Sequence, residues 1–213
     1  VIPKGYAQSS NFGVNLAGLD FGPTILPGVA GSNYFVPTAA ELDYYKSKGL
    51  SLIRLPFLWE RAQPTLGADL DPTYMGYIDG IVAAASSRNM SVILDMHNYG
   101  RYPQGGSVIG SAGGPTVANF QDVWTKLALR YTNEPAVWGF DLMNEPHNLG
   151  SVSWYTIAQA GISAIRTADK THVILVEGDN WSKGNTWSQY NSNLKNLTDP
   201  NNNLVFEAHQ YFD

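Results

Sequence analysis

The sequence predicts an α/β fold, a (β/α)8 TIM barrel to which these 213 residues supply roughly the first six βα units. Three observations lead there. Short, nearly continuous apolar runs alternate with amphipathic helical patterns, as in a parallel sheet covered by helices. The first run leads into NLAGLDFGPTILPG, which lacks the G-x-G-x-x-G turn that a doubly wound dinucleotide-binding sheet would want. Polar residues cluster at the C-terminal ends of the runs, where a barrel carries its functional groups: Arg54, His97, Asn144, Glu145, Trp181, His209 and Tyr211.

The strands are predicted at residues 12–18, 51–57, 91–98, 137–146, 172–178 and 204–211. Between the first two, Thr38 and Glu41 make a capping box and Gly49 stands where a glycine ends a helix. Asp71-Pro72 opens the second helix, with Tyr74, Ile78, Ile81 and Ala85 on one face. Phe120, Val123, Trp124, Leu127 and Tyr131 mark the third helix. Trp154, Ile157, Ala158, Gly161, Ile162 and Ile165 mark the fourth. The polar stretch after Gly184 predicts at most a short fifth helix. The glycines of RYPQGGSVIGSAGGP predict a mobile loop over the functional face.

Successive strands start 39, 40, 46, 35 and 32 residues apart. Eight such units need about 280–310 residues, so six are expected here in a single domain spanning 1–213. An open parallel sheet leaves two unpaired edges. A C-terminal fragment or a second chain is therefore expected to complete the barrel.

Composition narrows the function. Thirteen Lys and Arg against eighteen Asp and Glu give a net charge of −5, which argues against a nucleic-acid partner. No apolar run is long enough to span a membrane, and VIPKGYAQSS lacks the apolar stretch of a signal peptide. Cysteine is absent, which removes thiolate metal sites and a Cys nucleophile. His97, His147 and His209 have no metal-binding helical spacing, and neither G-x-S-x-G nor a phosphate-binding P-loop occurs, so no metal or cofactor is expected. The twelve Tyr and six Trp suit flat, hydroxylated ligands.

Glu145, after Asn144 and before Pro146, reads as a carboxylate aimed at a ligand or as a loop cap. His97 alone reads as a ligand-binding imidazole or, more often, a satisfied core histidine. Arg54, between apolar residues, needs a carboxylate to hold it, either catalytic or purely structural. His209 and Tyr211 lie two apart and share a strand face with Glu207, which should sit one layer deeper as a structural carboxylate. Trp181 reads as a sugar-stacking platform or as core. Trp59, Tyr99, Tyr102 and Trp187 are weaker candidates of the same kind.

Together IRLPFLWER, LDMHNYGRY, FDLMNEPHN, VEGDNWSKGNTW and EAHQYFD resemble glycoside hydrolase family 5, in the family's order and each at a strand end. GVNLAG, HNYGRY and HQYFD resemble its microbial endo-β-1,4-glucanases (cellulases) most. The resemblance implies a retaining glycosidase, with Glu145 as general acid/base and Asn144 bonding the sugar 2-hydroxyl. Arg54, His97, His209 and Tyr211 would line the −1 subsite. Trp181, Asn98, Tyr99 and Trp59 would contact substrate. Mechanism requires Glu145 to begin protonated, so its surroundings are expected to raise its pKa. The family's nucleophile belongs to strand seven and is expected outside this chain; Glu177 and Asp141 are poor substitutes. The implied partner is a β-glucan polysaccharide or oligosaccharide, and the implied location is extracellular. Mannan, xyloglucan or β-1,3-glucan hydrolysis, or glucan binding without cleavage, remain alternatives. Two N-x-S/T sequons begin at Asn180 and Asn196, and Asn196 is the one placed to carry a glycan.

Overall fold

The computed structural model describes residues 12–212. VIPKGYAQSS, Asn11 and Asp213 lie outside the described residues. Six parallel strands form one sheet: β1 (Gly13–Asn15), β2 (Leu52–Phe57), β3 (Ser91–Met96), β4 (Val137–Asp141), β5 (Val173–Glu177) and β6 (Leu204–Glu207). Their spatial order is their chain order. A doubly wound sheet must reverse order at a switch point, so sequential order identifies a (β/α)8 barrel.

Four helices connect the strands: α1 (Ala39–Ser47), α2 (Pro72–Ser86), α3 (Val117–Tyr131) and α4 (Trp154–Ala168). The capping box at α1 is formed, with the Thr38 side chain accepting from Glu41 N–H and the Glu41 carboxylate accepting from Thr38 N–H. Asp71 caps α2 and Pro72 is its first residue. The predicted faces of α2, α3 and α4 are all buried. Between β5 and β6 come only two 3-10 turns, Gly184–Thr186 and Leu194–Asn196, and the four-residue helix Trp187–Tyr190.

Every strand except β2, which ends at Phe57 as predicted, stops short of its predicted end. β4 ends at Asp141 rather than 146, and β6 at Glu207 rather than 211. The apolar signal runs on because Leu142 and Met143 stay fully buried after backbone pairing has ended. His97, Asn144, Glu145, His209 and Tyr211 therefore stand on the loops just beyond the sheet, while Arg54 lies within β2.

Strand parity divides the interior. Ile53, Leu55, Val92, Leu94, Phe140, Ile174 and Val176 pack against the helices in one continuous core. On the opposite parity, Ile93, Val173 and Leu175 form a small apolar floor with Leu52 and Trp138. Arg54, Asp95, Asp141, Glu177 and Glu207 follow on that inner parity as a polar layer.

Two loop features go beyond the expectation. The predicted mobile loop contains a two-stranded hairpin, Arg101–Tyr102 with Ser107–Val108. A four-residue helix, Trp59–Ala62, directly follows β2. Its Arg61 is buried and donates to the carbonyls of Leu19, Phe21, Gly22, Ile25 and Pro27, with its guanidinium 4.3 Å above the Tyr34 ring. One side chain thereby gathers the whole β1–α1 loop. Among the described residues β1 pairs only with β2 and β6 only with β5, and Val205 and Phe206 on β6 are exposed.

Candidate active site

Arg54 is the hub. Its Nη1 lies 2.8 Å from Asp95 Oδ2, and its Nη2 lies 2.7 Å from Asp141 Oδ2 and 2.8 Å from Glu177 Oε1. Its Nε lies 3.2 Å from Glu207 Oε1. It also donates to the side-chain oxygens of Asn15 and Asn144, each at 3.0 Å. Burial opposes its charge, but the surrounding carboxylates more than compensate and raise its pKa. One cation facing four carboxylates cannot neutralise all of them. Burial, reinforced by Glu207, pushes Asp141 well up. Burial also raises Glu177, to about 7, against the pull of His209 and Arg54.

Above this layer sit two imidazoles. Asp95 Oδ2 lies 2.7 Å from His97 Nδ1, and Tyr99 Oη lies 3.2 Å from His97 Nε2. Burial disfavours the imidazolium, yet Asp95 raises the His97 pKa overall. His209 Nδ1 lies 2.7 Å from Glu145 Oε1, and its Nε2 lies 3.1 Å from Glu177 and 3.3 Å from Glu207. Burial again opposes the charge, but hydrogen bonds to these three carboxylates raise His209 to about 12. The turn Asn180-Trp181-Ser182, left-handed at all three residues, positions Ser182 O to accept from His209 N–H at 2.8 Å.

Glu145 stands on the loop after β4 with φ +42°, and its N–H donates to Glu177 Oε2 at 2.7 Å. The expectation of a raised pKa fails within these residues. Burial does push it up, but the His209 hydrogen bond and the charges of His209, His97 and Arg54 outweigh burial and lower it. The second carboxylate, which would push the other way, is the one the family resemblance assigns to strand seven.

A cavity of about 390 Å³ opens here, lined by Asn15, Arg54, His97, Tyr99, Asn144, Glu145, Glu207, His209 and Tyr211. It gathers seven of the predicted residues: Arg54, His97, Tyr99, Asn144, Glu145, His209 and Tyr211. Glu207 sits one layer deeper beside Arg54, half-buried on the edge strand.

The structure corrects two substrate contacts. Trp59 is fully buried, with Nε1 donating to Gln63 and its ring edge-on to Tyr102 and Phe120. The short helix turns it under the cleft floor. Asn98 is also fully buried, and its side chain accepts from Trp59 N–H while donating to Glu60. Trp181 lies outside the cavity lining; His147 stacks on its ring at 4.4 Å and the Lys183 ammonium lies 4.5 Å from its centroid. Tyr102 donates to the Gln63 and Pro64 carbonyls, and Trp187 packs edge-on to Phe206. Sequence reasoning missed Asn15 and Asp95. Asp95 had a signal, since it shares strand parity with His97 two residues on.

Glu177, Glu207 and His209 bring donor atoms within 4.8 Å of one another. They do not fit a metal ion: the Arg54 cation already binds both carboxylates, and the surrounding carboxylates favour the protonated His209, which offers a metal no lone pair.

The family described as Cellulase (glycosyl hydrolase family 5) matches residues 7–213. The chain belongs to glycosyl hydrolase family 5. Among solved structures, the Pseudomonas stutzeri endoglucanase Cel5A, in complex with cellobiose, is 41% identical with a TM-score of 0.89. The match covers 94% of this chain and 60% of that one. Hypocrea jecorina Cel5A (EG2) is 32% identical with a TM-score of 0.81, over 94% and 66% of the two chains. Among curated relatives, the Aspergillus niger endo-beta-1,4-glucanase B is 36% identical over 95% of this chain and 59% of its own length. The Phanerodontia chrysosporium protein named manganese dependent endoglucanase Eg5A is 36% identical over 94% and 53%. The chain thus spans just over half the length of the curated relatives it matches.

Proposed function

We propose that these residues are the acid/base side of a retaining endo-β-1,4-glucanase. The observation that carries this reading is Glu145 at the cavity mouth, with Asn144 beside it and His209 on its carboxylate. In the retaining mechanism a carboxylate attacks the anomeric carbon while the acid/base protonates the leaving oxygen. Water, deprotonated by the same residue, then releases the sugar. Glu145 takes the acid/base role here. Asn144, fixed by Arg54 on one side, offers its amide N–H to a sugar hydroxyl.

Neither buried carboxylate near Glu145 suits the nucleophile. Glu177 is fully buried, with both oxygens already bonded. Asp141 is fully buried against Arg54. The nucleophile then comes from the seventh barrel strand, on a longer chain or a second polypeptide that pairs with the open edges. The substrate is a β-1,4-glucan, a polymer that a cell cannot import, so the enzyme acts outside the cell. The relatives named endoglucanases support that substrate class.

The test is Glu145→Gln in the protein with its barrel complete. Activity on cello-oligosaccharides, whose leaving group needs a proton, should fall by about 10²–10⁴-fold. Activity on an activated aryl cellobioside should fall far less. Equal losses on both would reject the assignment.

A further inference from the structure

We infer that Glu177, a carboxylate for which the family mechanism has no task, is the positioning residue that holds Glu145 in its working backbone conformation. The inference rests on the acid/base reading of Glu145. The first observation is strain. Glu145 has φ +42° and stands before Pro146, whose ring further restricts the preceding residue. A non-glycine residue keeps such a conformation only where its surroundings impose it.

The second observation is what imposes it. The Glu145 N–H donates to Glu177 Oε2 at 2.7 Å, and the Glu145 carbonyl lies 2.9 Å from His147 Nδ1. Both backbone polar groups of the strained residue are therefore held by side chains. The Glu177 clamp comes from the next strand, so it also fixes β4's loop against β5. Trp154 Nε1 donates to the Glu177 carbonyl and pins that end of β5 in turn.

The third observation is the use of the other oxygen. Glu177 Oε1 accepts from Arg54 Nη2 at 2.8 Å and lies 3.1 Å from His209 Nε2. His209 carries the side chain of Glu145 on its far nitrogen. Glu177 thus fixes Glu145 twice, directly at the backbone and through His209 at the carboxyl. With His209 protonated all three partners are donors, and the ionised carboxylate meets them with two acceptor oxygens. Glutamine supplies only one, and whichever way its amide turns, an NH2 group faces a donor.

Two experiments test this. In the unmodified protein, nuclear magnetic resonance should show a through-hydrogen-bond coupling between the Glu145 amide nitrogen and the Glu177 side-chain carboxyl carbon. Its absence would overturn the inference without any variant having to fold. In Glu177→Gln, the Glu145 amide should exchange with solvent at least about 100-fold faster. Turnover of cello-oligosaccharides should fall about 100-fold at nearly unchanged KM. In the Glu145→Gln background the same change should cost less than about threefold, because the residue it positions is already disabled. An equal loss in both backgrounds would mean that Glu177 merely stabilises the fold. If the unmodified protein with its barrel complete hydrolyses no glucan, the glucanase reading fails, while the coupling and the amide exchange still decide what holds Glu145.

Discussion

Glu145 Oε1 and His209 Nδ1 meet at 2.7 Å, joining the loop after β4 to the chain beyond β6. Arg54 and His97 add positive charge nearby, and together they hold the Glu145 carboxyl below its ordinary range against the effect of burial. His209→Ala should therefore raise the Glu145 pKa, with His97→Ala acting in the same direction but less. Titration of the isotopically labelled Glu145 carboxyl measures this directly. An unchanged or lowered value would show that the imidazole does not govern the proton.

Stability should fall as pH rises from about 6 to 9. Burial raises Glu177 to about 7, and carboxylate partners raise His209 to about 12 and His97 above its usual value. A group whose folded pKa is raised stabilises fully below its unfolded pKa, here about 4.3 for Glu and about 6.5 for His. That contribution is lost as pH climbs toward the folded value. Asp95, Glu145, Asp169 and Asp199 are lowered, so their contribution is present above about pH 4 and lost below it. Urea unfolding across pH 4–9 should thus show a maximum near about pH 5–6. A steady rise to pH 9 would contradict the proton distribution around Arg54.

Removing Arg54 should be costly. Arg54→Leu leaves Asp95, Asp141, Glu177 and Glu207 facing one another without their shared cation. Breaking one buried pair costs about 3–5 kcal/mol, and this change breaks several. The loss should be larger at pH 8 than at pH 5, since the abandoned carboxylates take up protons in acid. Chemical denaturation at the two pH values provides the comparison, and a loss independent of pH would count against it.

Gly161 separates helix propensity from packing. Alanine is favoured over glycine by about 1 kcal/mol within a helix. A Cβ at Gly161, however, would lie 2.8 Å from Phe120 Cε1 and 3.1 Å from Leu142 Cδ2, where α4 packs on α3 and the loop after β4. Gly161→Ala should therefore destabilise the protein by about 1–3 kcal/mol, the range for overpacking. A raised melting temperature would show that those neighbours yield freely.

The fold was legible where the signals are local. Thr38 with Glu41 and Asp71 with Pro72 mark helix starts because caps act within one turn. The strand order followed from the alternation together with the missing G-x-G-x-x-G turn and the polar residues at the strand ends. Strand ends were not legible: Leu142 and Met143 are buried but unpaired, and apolar character reports burial rather than pairing. Trp59 and Asn98 misled for a related reason. The helix Trp59–Ala62 is too short for a periodic signal, and Leu58 supplies no side-chain cap. Glu177 was visible as a charge ending an apolar strand, but its partners come from β2, β4 and beyond β6, contacts that no local pattern encodes.

Arg61 has a different kind of consequence. The centre of the cleft is tied together by groups that gain and lose protons, so its cohesion varies with acidity. The β1–α1 loop hangs on carbonyl oxygens from Leu19 to Pro27, which neither titrate in that range nor attract competing counterions as carboxylates do. The rim beside Asn15 should hold one shape in acid, alkali or brine while the interior it borders rearranges its protons, a rigid frame around an adjustable centre.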